Sequence, residues 1–285
     1  MKFIIKQKLF FFFLISLTGF LNLGTAYSQD VDETLLYARN LMAINEPQQA
    51  VEAYRRVLFF QPEKTALIAL ETGNAFCTAG DYNDARYYYK IAFHNETEST
   101  KKADIEFKII HSYILEKEYM KAKLNLAVLR NSKLTYSKRK MAFYDGIINF
   151  ETDNMEKAME NFNEYFSGYD TSYINSLFTA ANQNERMNPK KAMWMSIFVP
   201  GLGQAYAGEY EEAANSFLIN TVILSLYFYV ALTYNPLQGL IAVIPWFQRY
   251  YIGGINKSQK ITKEKKKAVK EQILVKLLQY ATTIE

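Results

Sequence analysis

The chain is poor in the residues that most often build catalytic and metal sites. It contains one cysteine, Cys77, and two histidines, His94 and His111, among 285 residues. An intramolecular disulfide and a cysteine metal cluster are therefore excluded, and a histidine-built metal site is disfavoured. No order of serine, histidine and carboxylate residues typical of nucleophilic catalysis stands out. We expect a protein that is not an enzyme and that uses no metal ion and no cofactor.

A strong excess of charge of one sign is also missing. The formal net charge is +4, which is too small to indicate a nucleic-acid-binding protein. Aromatic residues are abundant instead, at 15% of the chain. Such a content suits packed helical hairpins and membrane interfaces equally well. The partners that we expect are other proteins and membrane lipid, with no nucleic acid.

Residues 1–28 have the pattern of a secretory signal peptide. Three lysines precede the apolar run Leu9–Leu21, and the small-x-small site Ala26-Tyr27-Ser28 follows it. Because the apolar run is short and is followed by this site, we expect cleavage rather than an uncleaved membrane anchor. A lipoprotein is excluded, because no cysteine lies near the site. This pattern indicates a protein of the bacterial cell envelope.

Residues 29–187 contain an internal repeat. An alanine with a large apolar residue four positions later recurs with spacings of 35, 37 and 36 residues, at Ala50, Ala85, Ala122 and Ala158. Twelve positions before these alanines lie Ala38, Gly73, Ile110 and Gly146, of which three are small. In a helical hairpin a small residue lets the second helix approach the first, and the large residue fills the groove. A period near 34 with two helices per unit is typical of tetratricopeptide repeats.

Over roughly residues 31–167 the chain resembles the tetratricopeptide repeat family. It departs from the family by lacking the tryptophan of the first helix, by slightly long spacings and by Ile110. The resemblance implies a right-handed superhelix whose inner face is lined by the first helix of each unit. The inward positions, which predict a protein-binding groove, are Leu35, Arg39, Leu70, Asn74, Phe107, His111 and Phe143. Taken singly, each of these side chains is more typical of packing against a neighbouring helix.

Residues 188–256 are interpreted as a helical membrane module, because charge is almost absent from them. The stretch between Glu212 and Arg249 contains 36 uncharged residues. Ala213–Tyr234 is long enough to span a bilayer, which needs about 20 apolar residues. Pro236–Ile255 is a second candidate span, interrupted only by Arg249. This arginine either extends to the membrane interface among neighbouring aromatic residues or is a buried functional charge.

A glycine-rich motif interrupts a third apolar segment, Ala192–Gly208, which either crosses the membrane or re-enters it. The motif residues are Pro200, Gly201, Gly203, Gln204, Tyr206 and Gly208. Their Pro-Gly-x-Gly-Gln-x-Tyr pattern is similar to that of a group of uncharacterised bacterial membrane domains that often follow tetratricopeptide repeats. Small residues let helices approach closely in lipid. A phosphate-binding loop is not indicated, because no Gly-Lys-Ser/Thr follows.

Residues 257–285 are predicted to form a basic amphipathic tail with a net charge of +5. This helix rests either on anionic lipid or on the repeat array. If the array is exported, two crossings return the tail to the outside, against the positive-inside rule. Three crossings place it in the cytoplasm, and we therefore expect three.

The predicted protein is all-α, with a tetratricopeptide-like solenoid of helical hairpins followed by a small transmembrane module. We expect an exported scaffold for protein–protein interaction in envelope assembly or secretion. Its array is predicted to lie on the periplasmic side of the inner membrane. The alternative is a membrane module that handles lipid or a small solute under the regulation of the repeats. In that alternative Gln204 and Arg249 are the residues to test.

Overall fold

The structure, a computed structural model, describes residues 30–284, and the predicted signal peptide lies outside this range. Every regular element within the range is a helix, so the expected all-helical fold class is confirmed. The chain divides between Ser137 and Lys138 into two compact units.

The first unit contains three helical hairpins. Their helices are α1 (Val31–Ala43) with α2 (Pro47–Phe60), α3 (Thr65–Ala79) with α4 (Tyr82–Asn95), and α5 (Ser99–Leu115) with α6 (Tyr119–Arg130). A short 3-10 turn, Pro62–Lys64, precedes α3. Successive hairpins are stacked, because α2 packs against α3 and α4 packs against α5.

The second unit begins with a fourth hairpin and ends with a long helix. The hairpin consists of α7 (Lys138–Glu151) and α8 (Met155–Tyr165), and α9 (Ser172–Glu185), α10 (Pro189–Phe198) and α11 (Leu202–Tyr206) follow. The next elements are α12 (Tyr210–Thr233), α13 (Pro236–Trp246), a π-helical turn (Phe247–Ile252) and α14 (Gly253–Ile284). α12 packs against α13, and α14 packs against α9, α10 and α11.

The turns inside the four hairpins share one backbone geometry. Each has a residue in the left-handed region, with φ of 60°, 85°, 63° and 61° at Asn45, Gly80, Lys117 and Asp153. These residues lie five positions before the four repeat alanines. In every turn the next amide donates to the carbonyl oxygen five residues earlier, at 2.8–2.9 Å. This arrangement closes the end of a helix by pairing its free carbonyl groups. The sequence repeat is therefore also a repeat of backbone conformation.

Glycine in the first helix of a hairpin makes room for a large ring in the second. A Cβ atom added to Gly73 would lie 2.6 Å from the ring of Tyr89, and one added to Gly146 would lie 3.0 Å from the ring of Phe162. Both rings belong to residues four positions after a repeat alanine. The contact that the small–large pattern predicts is thus present in the second and fourth hairpins.

The third hairpin shows why Ile110 is tolerated in the place of a small residue. Ile110 is 0% exposed, and Leu126, which occupies the position of the large residue, is 1% exposed. Leucine is smaller than the tyrosine or phenylalanine found there in the neighbouring repeats. The larger residue in one helix is therefore balanced by a smaller one in the other, and the interior stays filled.

A buried arginine that the sequence pattern does not single out joins α4 to α5. The side chain of Arg86 is 8% exposed, and its Nη2 atom lies 2.9 Å from Oε2 of Glu116. Its Nη1 atom donates to Oγ of Ser112 at 3.4 Å, and its guanidinium carbon lies 4.3 Å from the ring centroid of Tyr113. One charged group therefore fixes the junction between two hairpins.

We expect Arg86→Met to lower the free energy of unfolding of the first unit by about 3 kcal/mol, because Glu116 then keeps a half-buried charge without its counter-charge. The measurement is urea denaturation followed by circular dichroism. Lys121→Met is the matched control, since the ion pair of Lys121 with Glu118 is exposed and such pairs contribute at most about 1 kcal/mol. Equal losses in the two variants would contradict the assigned role of Arg86.

Candidate functional site

The predicted groove residues are divided between the two units. Leu35, Arg39, Leu70, Asn74, Phe107 and His111 lie on α1, α3 and α5, whereas Phe143 lies on α7. Leu35 is 7% exposed and Phe107 is 3% exposed. Both are core residues rather than groove residues, because a side chain buried this deeply does not reach a partner. Phe143 is half-buried against the rings of Phe162 and Tyr165.

The polar members of the predicted groove remain accessible, and two of them are held in place. Arg39 makes a two-pronged ion pair with Glu71, with nitrogen–oxygen distances of 3.1 and 2.6 Å. Asn74 accepts a hydrogen bond of 3.1 Å from the hydroxyl of Tyr89. His111 is exposed, although surrounding atoms desolvate its ring and, with the charge of Lys108, lower its pKa.

The Arg39–Glu71 pair affects a buried tyrosine. Tyr54 is 2% exposed, and burial, followed by the charge and hydrogen bond of Glu71, raises its pKa to about 12. A tyrosine in an unfolded chain has a pKa of about 10. The folded state therefore holds this proton more tightly. The stabilisation is fully present below pH 10 and is lost as the pH rises to about 12.

Between about pH 10 and pH 12 we therefore expect the free energy of unfolding of the wild-type first unit to fall by about 2 kcal/mol more than that of Tyr54→Phe. The measurement is urea unfolding at several alkaline pH values for both proteins. Tyr37→Phe, at a position that is 56% exposed, is the control and should keep the pH dependence of the wild type. An unchanged pH slope in Tyr54→Phe would refute the assignment.

The most unusual surface of the second unit belongs to the hairpin of α12 and α13. Among residues 30–284, α12 is the one helix that is long and apolar enough to cross a membrane, and only 11% of its apolar window is buried. A core helix of a soluble protein would be mostly buried. Apolar side chains that are at least 62% exposed line both arms, namely Leu218, Val222, Leu232, Leu237 and Ile241.

The other predicted spans are shorter or less regular. Within Ala192–Gly208, α10 has 10 residues and α11 has five, fewer than the about 20 that a crossing needs. α13 ends at Trp246, where the π-helical turn begins. Since α10 and α11 pack against α14, both ends of the hairpin return to one packed body. The expected three crossings stay a prediction.

The basic tail is part of that body. Of its two expected supports, anionic lipid and the repeat array, the structure shows contact with the array in part. The tail packs on α9, within residues 29–187, and on α10 and α11 beyond them, with Ile273 and Leu277 buried. Lys266 pairs with Glu185 at 2.9 Å, and Lys270 pairs with Asp153. Much of the positive charge of α14 is therefore used inside the protein.

The glycines of the Pro-Gly-x-Gly-Gln motif allow three helices to meet at backbone distance. Gly201 has a φ of 93°, and an added Cβ atom would lie 2.3 Å from the carbonyl oxygen of Ala213. An added Cβ atom on Gly203 would lie 2.1 Å from the carbonyl oxygen of Ala192 and 2.4 Å from Oγ of Ser196. No side chain fits at either position without displacing α10 or α12.

Gln204 joins neighbouring helices and also lines the smaller of the two cavities described below. It is 1% exposed. Its amide nitrogen donates to the carbonyl oxygen of Gly254 at 3.0 Å, and its amide oxygen accepts from the hydroxyl of Ser196 at 3.2 Å. Both ends of the side chain therefore join α11 to neighbouring helices.

Two further motif residues hold the loops around α11. The hydroxyl of Tyr206 donates to the carbonyl oxygen of Arg186 at 3.3 Å and accepts from the amide of Asn188 at 3.2 Å. Gly208, with a φ of 79°, ends α11 with the same left-handed turn that ends the first helix of each of the four hairpins. The motif is thus a set of helix junctions that positions the hairpin on the body.

Two adjoining cavities lie along α12, the larger against α13 and the π-helical turn and the smaller against the π-helical turn and the start of α14. The larger, about 520 Å³, is lined mainly by apolar residues that include Leu224, Val243 and Phe247. The smaller, about 210 Å³, is lined mostly by polar residues. Asn220 lines both cavities, and Pro200 of the motif lines the larger one.

Two predicted site residues, Gln204 and Arg249, line the polar cavity, and Arg249 is an exposed charge. The other charged residues there are Lys257 and Glu212, whose side chains pair at 2.6 Å. Asn215 and Ser216, which line the same cavity, were not among the site residues predicted from the sequence. Their signal was a run of polar residues on one face of the otherwise apolar α12.

Comparison of the chain with protein-family models, with curated proteins and with solved structures finds no match. The resemblances to tetratricopeptide repeats and to bacterial membrane domains therefore remain predictions from the residues quoted above.

Proposed function

We propose that the protein is a membrane-anchored scaffold whose helical hairpins bind a protein partner. The observation that carries this proposal is the exposed apolar hairpin of α12 and α13, because α12 is long and apolar enough to cross a membrane and only 11% of its apolar window is buried. Exposed apolar surface of this extent is typical of contact with a membrane or another protein. The proposed setting is the bacterial inner membrane, with the repeats exported to the periplasm for envelope assembly or secretion.

Lysines in the middle of both hairpin arms test the anchor. Each costs about 2.5–3.5 kcal/mol at the centre of a bilayer, so Val222→Lys with Ile241→Lys should abolish carbonate-resistant membrane association. The matched control is Phe59→Lys with Leu124→Lys in the first unit, where the apolar side chains are 80% and 65% exposed. Release of the wild type by carbonate, or equal release of both double variants, would refute the anchor.

Single cysteines in a Cys77→Ser background test on which side of the membrane the helices lie. Glu156 on α8 and Lys263 on α14 are both exposed residues of the second unit. Because the hairpin returns to the body from which it leaves, cysteines at these positions should react with an impermeant maleimide from the same side. Labelling from the periplasm supports export, labelling only after lysis contradicts it, and labelling from opposite sides contradicts a crossing by both arms together.

A photo-crosslinking amino acid in place of His111 tests the partner-binding surface. Tyr87, which is 61% exposed on α4, is the control position, because the superhelix implied by the resemblance lines its inner face with the first helix of each hairpin. We expect a discrete adduct from position 111 and none from position 87. No adduct from position 111, or the same adducts from both positions, would contradict a partner bound on the face that carries Arg39, Asn74 and His111.

A further inference from the structure

We propose that the two cavities of the α12–α13 hairpin together bind one phospholipid with a net charge of −1, such as phosphatidylglycerol. This inference rests on the proposed membrane position of the hairpin. It goes beyond that position by naming a ligand. Any exposed apolar hairpin in a membrane contacts lipid, but a charged cavity binds some lipids in preference to others.

The polarity of the cavities follows the direction that a lipid in one leaflet requires. Along α12 the polar cavity is lined near the body by Glu212, Asn215 and Ser216, and the apolar cavity is lined nearer the tip by residues up to Tyr227. At 1.5 Å per helical residue, this order extends over about 20 Å. A headgroup at the membrane interface and acyl carbons deeper in the bilayer have the same order.

On the opposite wall, Arg249 and Gly253 line the polar cavity close to the body, and Leu240 and Val243 line the apolar cavity closer to the tip. The apolar cavity also reaches the body, where Pro200 and Tyr251 line it. The π-helical turn supplies residues to both cavities, with Arg249 on one side and Phe247 on the other. Such turns occur frequently at functional sites.

The charge of the polar cavity is complementary to a single phosphate. Lys257 and Glu212 neutralise each other at 2.6 Å, which leaves the charge of Arg249. Within the described part of the chain, the guanidinium group of Arg249 contacts the ring of Tyr250 at 5.8 Å and forms no ion pair with a carboxylate. A guanidinium group binds phosphate oxygens through two parallel hydrogen bonds. A lipid with net charge −1 therefore balances the site.

Asn220 links the two cavities, because it lines both of them. Its amide nitrogen donates to the carbonyl oxygen of Ser216 at 2.8 Å, so its amide oxygen is directed away from that bond. This oxygen is placed where the polar headgroup region of a lipid would give way to its acyl chains. Replacing Asn220 with leucine would put an apolar group at this boundary.

The test compares lipids with matched acyl chains bound to the full-length protein. The purified protein is mixed with detergent micelles that contain equal amounts of phosphatidylglycerol and phosphatidylcholine, and retained lipid is counted by native mass spectrometry. We expect one retained phosphatidylglycerol and at least about a tenfold preference for it. Arg249→Gln should reduce the preference about tenfold. Lys263→Gln, which removes an equal charge from an exposed position on α14 outside both cavities, should leave it unchanged.

Several outcomes would overturn the lipid site. They are equal retention of the two lipids, equal effects of Arg249→Gln and Lys263→Gln, and competition by glycerophosphoglycerol, which has the phosphodiester headgroup without acyl chains. Asn220→Leu should weaken retention while the circular dichroism spectrum stays unchanged. If the wild type remains in membranes without any lipid preference, the site is refuted and the anchor stands. If the wild type does not enter membranes at all, the proposed function fails as well.

Discussion

Gly203→Ala is expected to destabilise the second unit by about 3–5 kcal/mol, enough to leave much of it unfolded. The added Cβ atom would lie 2.1 Å from the carbonyl oxygen of Ala192 and 2.4 Å from Oγ of Ser196. Backbone atoms cannot rotate away from such a contact, so α10 and α11 must separate. That separation also strains the hydrogen bonds between Gln204 and its neighbours. The measurement is urea denaturation of the detergent-solubilised chain, followed by circular dichroism.

Two glycines of the same unit provide the controls. Gly253→Ala introduces a Cβ atom with nothing within 4 Å and should change stability by less than about 1 kcal/mol. Gly201 and Gly168 share a φ of 93°, but only Gly201 faces a backbone oxygen at 2.3 Å. Both substitutions to alanine introduce the same backbone strain, so the difference between their losses of unfolding free energy gives the cost of the steric clash at Gly201. Equal losses at these two positions would show that the motif is not a close helix junction.

Phe162→Ala is expected to cost about 3–5 kcal/mol. Its ring is 0% exposed and lies within 6.3 Å of the rings of Phe143, Phe166 and Phe178. Removing it leaves a cavity at the meeting point of α7, α8 and α9. Urea denaturation gives the loss directly. Tyr173→Ala, at a position that is 42% exposed, should cost less than half as much.

The same position tests the balance of volumes between paired helices. Gly146→Ile alone should unfold the fourth hairpin, because Cβ already meets the ring of Phe162 at 3.0 Å. Adding Phe162→Leu reproduces the Ile110–Leu126 pair of the third hairpin and should recover about half of the lost stability. A double variant whose loss equals the sum of the two single losses would mean that the pair is not coupled.

The repeats were predictable because their signal is local. The pattern consists of a small residue, an alanine twelve positions later and a large residue four positions after that. All three lie within one hairpin, so the pattern can be recognised in a single pair of helices. Each turn also has a residue in the left-handed conformation five positions before the repeat alanine. In three of the four turns this residue is not glycine, so the sequence does not indicate its conformation. Asn45, Lys117 and Asp153 adopt this conformation because the hairpin requires it.

The groove was only partly predictable. Leu35 and Phe107 occupy the inward register, but the stacking of successive hairpins buries them, whereas Arg39 and His111 at the next turn stay accessible. The position of a residue in the repeat predicts on which side of a helix it lies. It does not predict how closely a neighbouring helix packs against that side, and this distance determines whether the residue is buried.

By itself the sequence determined the helical class, the four hairpins and the long apolar helix, because small–large periodicity and apolar run length are properties of neighbouring residues. Tertiary structure alone decided the roles of the glycine motif, the tail and Arg249. Gly203 contacts α10, and α14 packs against α9, α10 and α11. Arg249 lines the same cavity as Asn215, because the hairpin brings together residues that are 34 positions apart. Contacts of this kind depend on how helices approach one another, and that approach is set by the packing of the whole unit.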